Sequence, residues 1–206
     1  MSAEDDTGAP NTPGTLDPAR IVWENSISNR WWRNTRKRAS TPLEFSNAAG
    51  RFSHPTLPFK TLYLGSNSIT CFWESGLGRD MIKRFPTDRT MSENDLRERV
   101  EYSVSINSTG LCLFNANDSA ARRTIGARSI ACFQADHMVS QQWVHALFSV
   151  GAQGILYSSA RSDGACLALF ESATTRNALA SLRRVRCCYE DAKLFASLFR
   201  EGVRLL

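Results

Sequence analysis

Between Thr61 and Ser75 the chain changes its hydrophobic period within four residues, and that change limits the folds open to it. Leu62 and Leu64 flank Tyr63 in strand-type alternation, Gly65-Ser66-Asn67-Ser68 interrupts it, and Ile69, Phe72 and Trp73 then recur at helical spacing. A strand that passes through a Ser/Asn cap into a helix turns the helix's apolar stripe back onto the strand it has just left. Helix must therefore pack on sheet, with Glu74 beside the buried stripe and Tyr63 in the strand beneath it.

The rest of the chain repeats this mixture without a βαβ rhythm. Residues 100–106 (VEYSVSI) alternate as a half-buried strand, and LCLF at 111–114 reads as a short buried one. Asp136 is the expected cap of a helix with Val139, Trp143, Leu147 and Val150 on its apolar face, and Gly151 is its stop. GILY at 154–157 and CLALF at 166–170 read as two strands joined by SSARSDGA. Near the end, Leu194, Phe195, Leu198 and Phe199 fall on one helical face, and 182–189 is open to a strand. The expected class is α+β with a mainly antiparallel sheet.

At 206 residues the chain is long enough to bury a core of its own, and residues 19–206 are expected to form one domain. Residues 1–18, rich in Pro, Gly, Thr and Asp, are expected to be a disordered tail. The acidic start MSAEDDTGAP is unlike a secretory signal, and no apolar run is long enough for a bilayer. Six scattered cysteines without a CxxC pair read as reduced thiols of a cytoplasmic protein.

The formal charge of +5 is concentrated. Arg30, Arg33, Arg36, Lys37 and Arg38 surround Trp31 and Trp32, and Arg183, Arg184 and Arg186 form a second cluster. Such clusters suit a solvated face, nucleic acid, or a small anionic ligand such as a pyrophosphate. Other chemistries lack their residues. His137 and His145 share a helix but have no third ligand nearby, so no metal is expected. No GxSxG elbow or GxxxxGK[ST] loop occurs, and Met81 stands where a dinucleotide fingerprint starting at Gly76 needs its third glycine.

Three stretches remain in which polar groups exceed structural need: Gly50-Arg51-Phe52-Ser53-His54-Pro55, Tyr63 with Glu74, and Tyr157-Ser158-Ser159-Ala160-Arg161. In this order they resemble the RES-domain family, named for its Arg, Glu and Ser. That family carries an arginine in a G-R-[FW]-N-P-like turn, a strand tyrosine, a glutamate eleven residues later, and a Y-P-S-x-R-like stretch before an apolar strand. Tyr63 to Glu74 keeps the eleven-residue step, and Trp32-Arg33 matches an upstream aromatic-arginine dipeptide, with Arg30 and Arg36 as neighbouring alternatives. The gap from Arg51 to Tyr63 is longer than usual, Ser53 replaces Asn, and Ser158 replaces Pro, which leaves both Ser158 and Ser159 as candidates.

The resemblance implies a split antiparallel β core like that of ADP-ribosyltransferases, flanked by helices, with NAD in the cleft as substrate. It implies a toxin that breaks the nicotinamide–ribose bond with inorganic phosphate or water as acceptor, or else transfers ADP-ribose to a protein. A helix-turn-helix antitoxin is the implied partner, and no membrane is involved. Arg51, Glu74 and Ser159 would be catalytic, and Arg33, Tyr63, Ser158 and Arg161 would bind NAD. Bond cleavage builds positive charge on the ribose, which a fixed carboxylate stabilises, while arginine forks match phosphate oxygens. The rival class is a basic nucleic-acid-binding module using residues 30–38, with the polar motifs structural.

Overall fold

Alternating apolar residues form the strands β1 (Trp23–Glu24), β2 (Arg30–Arg36), β3 (Thr61–Gly65), β4 (Thr90–Met91) and β5 (Arg99–Ile106). They continue as β6 (Leu113–Asn115), β7 (Gly154–Ser158), β8 (Ala165–Phe170), β9 (Leu179–Cys187) and β10 (Arg204–Leu205). The helices are α1 (Ser68–Glu74), α2 (Gly76–Ile82), α3 (Glu93–Arg97), α4 (Ser119–Thr124), α5 (His137–Ser149), α6 (Ala173–Ala178) and α7 (Ala192–Arg200). This computed structural model describes residues 9–206 apart from Asn25, Ser40, Ala135 and Asp136.

Among the described residues, eight strands form one sheet in the order β1-β6-β7-β8-β3-β2-β5-β9, while β4 pairs with β10. Within the large sheet all neighbours are antiparallel except β6 and β7. The α+β class expected from the sequence is the class observed. Alternation sorts its two faces: Leu62 and Leu64 pack with Leu167 and Leu169, whereas Tyr63 joins Ala168 and Phe170 in the cluster that includes Trp143 and Leu147 of α5.

The sheet is split in its middle. β2 pairs with β5 from Arg30 to Arg36 and β3 with β8 from Thr61 to Gly65, but β2 meets β3 at the single position Trp32 opposite Gly65. The helix that follows β3 packs on both strands where they part. Asn67 caps it by accepting from the Thr70 N–H at 2.8 Å. A Cβ on Gly65 would lie 2.6 Å from the backbone nitrogen of Cys71, so only glycine lets α1 sit this close to the strand end. Gly78, whose resemblance to a dinucleotide fingerprint is fortuitous, lets α2 cross α1 against the backbone of Phe72 and Trp73.

Some expectations change form. Asn11, inside the segment expected to be a disordered tail, is tied down: its carbonyl accepts from the Trp143 indole at 2.6 Å, and its side chain bonds Gly126 and Arg128. Anchoring thus begins before residue 18. The expected cap Asp136 lies outside the described residues, and Gly151 ends the α5 turn at φ +98°. The segment open to a strand at 182–189 is the edge strand β9. In α7, Leu194 and Leu198 are buried, but Phe199 is 83% exposed because it lies off the stripe those two define.

Candidate active site

The turn between β7 and β8 brings the first polar cluster together. It closes by a hydrogen bond from the Ser159 N–H to the Gly164 carbonyl, 2.9 Å. Gly164 lies directly against Thr70 of α1, where a side chain would not fit, and Ser162 Oγ bonds Thr70 Oγ1 at 3.0 Å. The turn is thereby fixed on the helix that carries Glu74. Ser159 Oγ donates to Glu74 Oε1 at 2.6 Å and itself accepts from the backbone N–H groups of Arg161 and Ser162. Arg161 Nη1 donates to Glu74 Oε2 at 3.3 Å. Both carboxylate oxygens are held, and the Glu74 side chain keeps 12% of its surface open.

Arg51 faces the same space from another direction. It is 92% buried, yet its Nε and Nη1 make no hydrogen bond among the described residues. Its guanidinium lies 5.6 Å from the centre of the Tyr157 ring and 6.0 Å from that of Phe52. A buried guanidinium with open donors costs free energy unless something accepts them. The loop that aims it is braced on two sides. Tyr63 Oη accepts from the Phe52 N–H at 2.8 Å and donates to Ser53 Oγ, and Gln141 of α5 donates to the Gly50 carbonyl at 2.7 Å.

A cavity of about 310 Å³ lies at the split, lined by Arg33, Arg51, Tyr63, Glu74, Tyr157 and Arg161 among others. Arg33 is partly committed to structure: it donates to the carbonyls of Tyr63 (3.0 Å) and Pro42 (3.3 Å), tying β2 to β3 beside their one pairing. Burial lowers its pKa, with the neighbouring Cys71 and Glu44 opposing. Burial also pushes the Tyr157 hydroxyl well above its usual range, so it stays a neutral donor.

Ser158 is not brought to this cluster. Its Oγ donates to Asn117 Oδ1 at 2.8 Å, because successive strand residues point to opposite faces and Tyr157 takes the face of the cavity. Ser159, one residue past the strand, turns back to Glu74. Tyr63, expected to bind NAD, lines the cavity, and its hydroxyl holds the Arg51 loop. Arg161 pairs with Glu74 itself.

A family model described as RES domain matches residues 30–187. The chain belongs to the RES-domain family. Its fold is similar to that in the crystal structure of the M. tuberculosis MbcT–MbcA toxin–antitoxin complex, with a TM-score of 0.60 and 22% identity over 86% of this chain and 93% of that one. Comparison with curated proteins finds no match.

In this RES domain the cavity also takes residues that no motif marked. Asn34, Arg36, Arg99 and His137 line it, as do Ser46, Ala48 and Ala49. Arg36 had a weak signal as a neighbour of Arg33. Arg99 had none, because it comes to the cleft only through the pairing of β5 with β2.

Proposed function

We propose that this RES domain consumes NAD as the toxin of a toxin–antitoxin pair, breaking the nicotinamide–ribose bond and passing ADP-ribose to inorganic phosphate or water. The observation that carries the reading is Arg51, buried with two unpaired donors at the wall of the cavity that also holds the fixed carboxylate of Glu74. A buried guanidinium with unpaired donors matches an anion such as the pyrophosphate of NAD.

The chemistry follows from the placement. As the C–N bond lengthens, its electron pair leaves with nicotinamide, and positive charge grows on the ribose C1′. Glu74, fixed by Ser159 and Arg161, stabilises that charge without having to move. An oxygen of phosphate or of water then bonds C1′; in hydrolysis the water's proton passes to solvent. Ser159 acts as a positioning residue. Its hydroxyl proton is already given to Glu74, and its lone pairs are taken by two N–H groups, so it is no nucleophile. The Tyr63 ring offers a stacking face for nicotinamide.

The arginine-rich cleft favours a small anionic acceptor, since Arg33, Arg36, Arg51, Arg99 and Arg161 line it against the one carboxylate of Glu74 among the described residues. The toxin–antitoxin complex among similar folds supports a protein partner, read here as a helix-turn-helix antitoxin covering the cleft. In this reading the reaction takes place in the cytoplasm; among the described residues no helix is long and apolar enough to cross a membrane. The test is NAD turnover by the purified protein with and without phosphate, with products resolved by mass. A phosphorylated ADP-ribose formed only with phosphate supports phosphorolysis, and free ADP-ribose in both buffers supports hydrolysis. Intact NAD in both would overturn the reading, and labelling of one protein band on adding lysate would make the enzyme a transferase.

A further inference from the structure

The strand register that builds the cleft also places two arginines directly opposite each other. Arg36 closes β2 against Arg99 at the start of β5. Residues opposite on antiparallel strands project from the same face, and like charges there repel. Among the described residues Arg36 makes no side-chain hydrogen bond or ion pair, and Arg99 donates one hydrogen bond, to Asn34 Oδ1 at 2.9 Å. Asn34 is held in turn by Cys188, 2.8 Å away, so the Arg99 guanidinium is oriented rather than free. Burial lowers the Arg99 pKa, and the charge of Arg36 acts in the same direction, with Cys188, Asp95 and Cys71 opposing.

Their position in the cleft gives the pair a use. Arg36 and Arg99 line both the cavity of about 310 Å³ and a second one of about 340 Å³, whereas Glu74, Arg51 and Arg161 line the first only. The pair stands where the two cavities meet. Pockets for drug-sized ligands run from about 300 to 1,000 Å³, so the first cavity is at the small end, and a dinucleotide anchored at Glu74 that continues into the second cavity passes the pair. Its adenosine end would then enter the second cavity, which Arg38, Asp95 and Glu98 also line.

We infer that Arg36 and Arg99 form a second anion subsite, which takes the ribose phosphate at the adenosine end of a 2′-phosphorylated dinucleotide. This rests on the reading of the cleft as a dinucleotide site. A phosphomonoester carries a charge of about −2 at neutral pH and three acceptor oxygens, enough to engage two facing guanidinium groups and relieve their repulsion. An unphosphorylated ribose would offer only hydroxyls, which Asp95 and Glu98 could accept but which leave the two arginines opposed.

The experiment measures affinities by calorimetry for adenosine 2′,5′-bisphosphate and adenosine 5′-monophosphate, with kcat/KM for NADP and NAD alongside. The wild type is expected to bind the bisphosphate at least about tenfold more tightly and to favour NADP over NAD by a similar factor. In Arg36→Gln, with an unchanged circular dichroism spectrum, both ratios should fall close to one. Equal affinities in the wild type, or a preference that survives Arg36→Gln, would overturn the subsite. Equal affinities together with an inorganic-phosphate site lost in Arg36→Gln would assign the pair to the acceptor and overturn the dinucleotide assignment. Because neither adenosine probe contains nicotinamide, a fragment preference without any cleavage would sink the proposed reaction and leave the subsite standing.

Discussion

Glu74 and Glu101 are both withdrawn from water, and their surroundings differ in kind. Glu74 has a donor on each oxygen, Ser159 at 2.6 Å and Arg161 at 3.3 Å, and it faces a cavity. Glu101 in β5 is 1% exposed, neither oxygen has a donor, and its close neighbour is another acid, Asp191, which caps α7. Arg186 lies 3.4 Å from Glu101 and 3.7 Å from Asp191 but is itself partly in solvent. Burial first, and the charge of Asp191 second, push the Glu101 pKa up to about 8, so it takes a proton and can hydrogen-bond Asp191. Glu101 is not among the residues that line the cleft. A shifted pKa alone is therefore a poor guide to the site here; what separates the clusters is that one is satisfied and opens onto space with spare donors.

The contrast breaks first at Glu74. Glu74→Gln keeps shape and hydrogen-bonding capacity but loses the charge, and NAD turnover should fall by about two to three orders of magnitude with the thermal midpoint little changed. Turnover at the wild-type rate would remove Glu74 from the chemistry. Next is Arg51→Lys, which keeps the charge and loses the fork; NAD affinity measured by calorimetry should drop by about tenfold or more. An unchanged Kd would refute bidentate binding.

Smaller effects sharpen the comparison. Ser159→Ala removes one hydrogen bond from Glu74 and should slow turnover by about tenfold, whereas Ser158→Ala, turned towards Asn117, should leave the rate alone. Equal losses in both would mean that the turn, rather than the Ser159 hydroxyl, matters. Glu101→Gln should leave turnover unchanged and alter only how stability responds to pH. Between the ordinary carboxylate range and about pH 8 the folded wild type holds a proton that the unfolded chain has released, so its stability falls as pH rises through that window and levels off above it. Thermal midpoints across pH 5 to 9 should show a shallower decline in the variant; a slope equal to the wild type's would place the coupled proton elsewhere.

Much of this was legible because it is local. The period change at Gly65 marked β3 and α1, and the eleven-residue step placed Glu74 on the helix end above Tyr63. Residues of all three motifs line one cavity. What the sequence hid depends on contacts between distant segments. VEYSVSI reads as a strand with a wet face, and nothing in it says that Glu101 is covered. Arg99 reaches the cleft through register alone, and Arg33, legible as a phosphate ligand, spends two donors on carbonyls that only the split brings near. Strand parity, which decides between Ser158 and Ser159, could have been applied had the end of β7 been known to within one residue.

In the proposed reaction the unpaired guanidinium of Arg51 and the held carboxylate of Glu74 address the two ends of one bond-breaking event. The structure of Glu74→Gln with NAD bound tests it most directly. Pyrophosphate oxygens should lie within hydrogen-bond distance of the Arg51 guanidinium, with the nicotinamide ribose beside residue 74 and the Tyr63 ring against the nicotinamide. NAD bound outside the split, or bound within it while the Arg51 donors still meet no acceptor, would contradict the account.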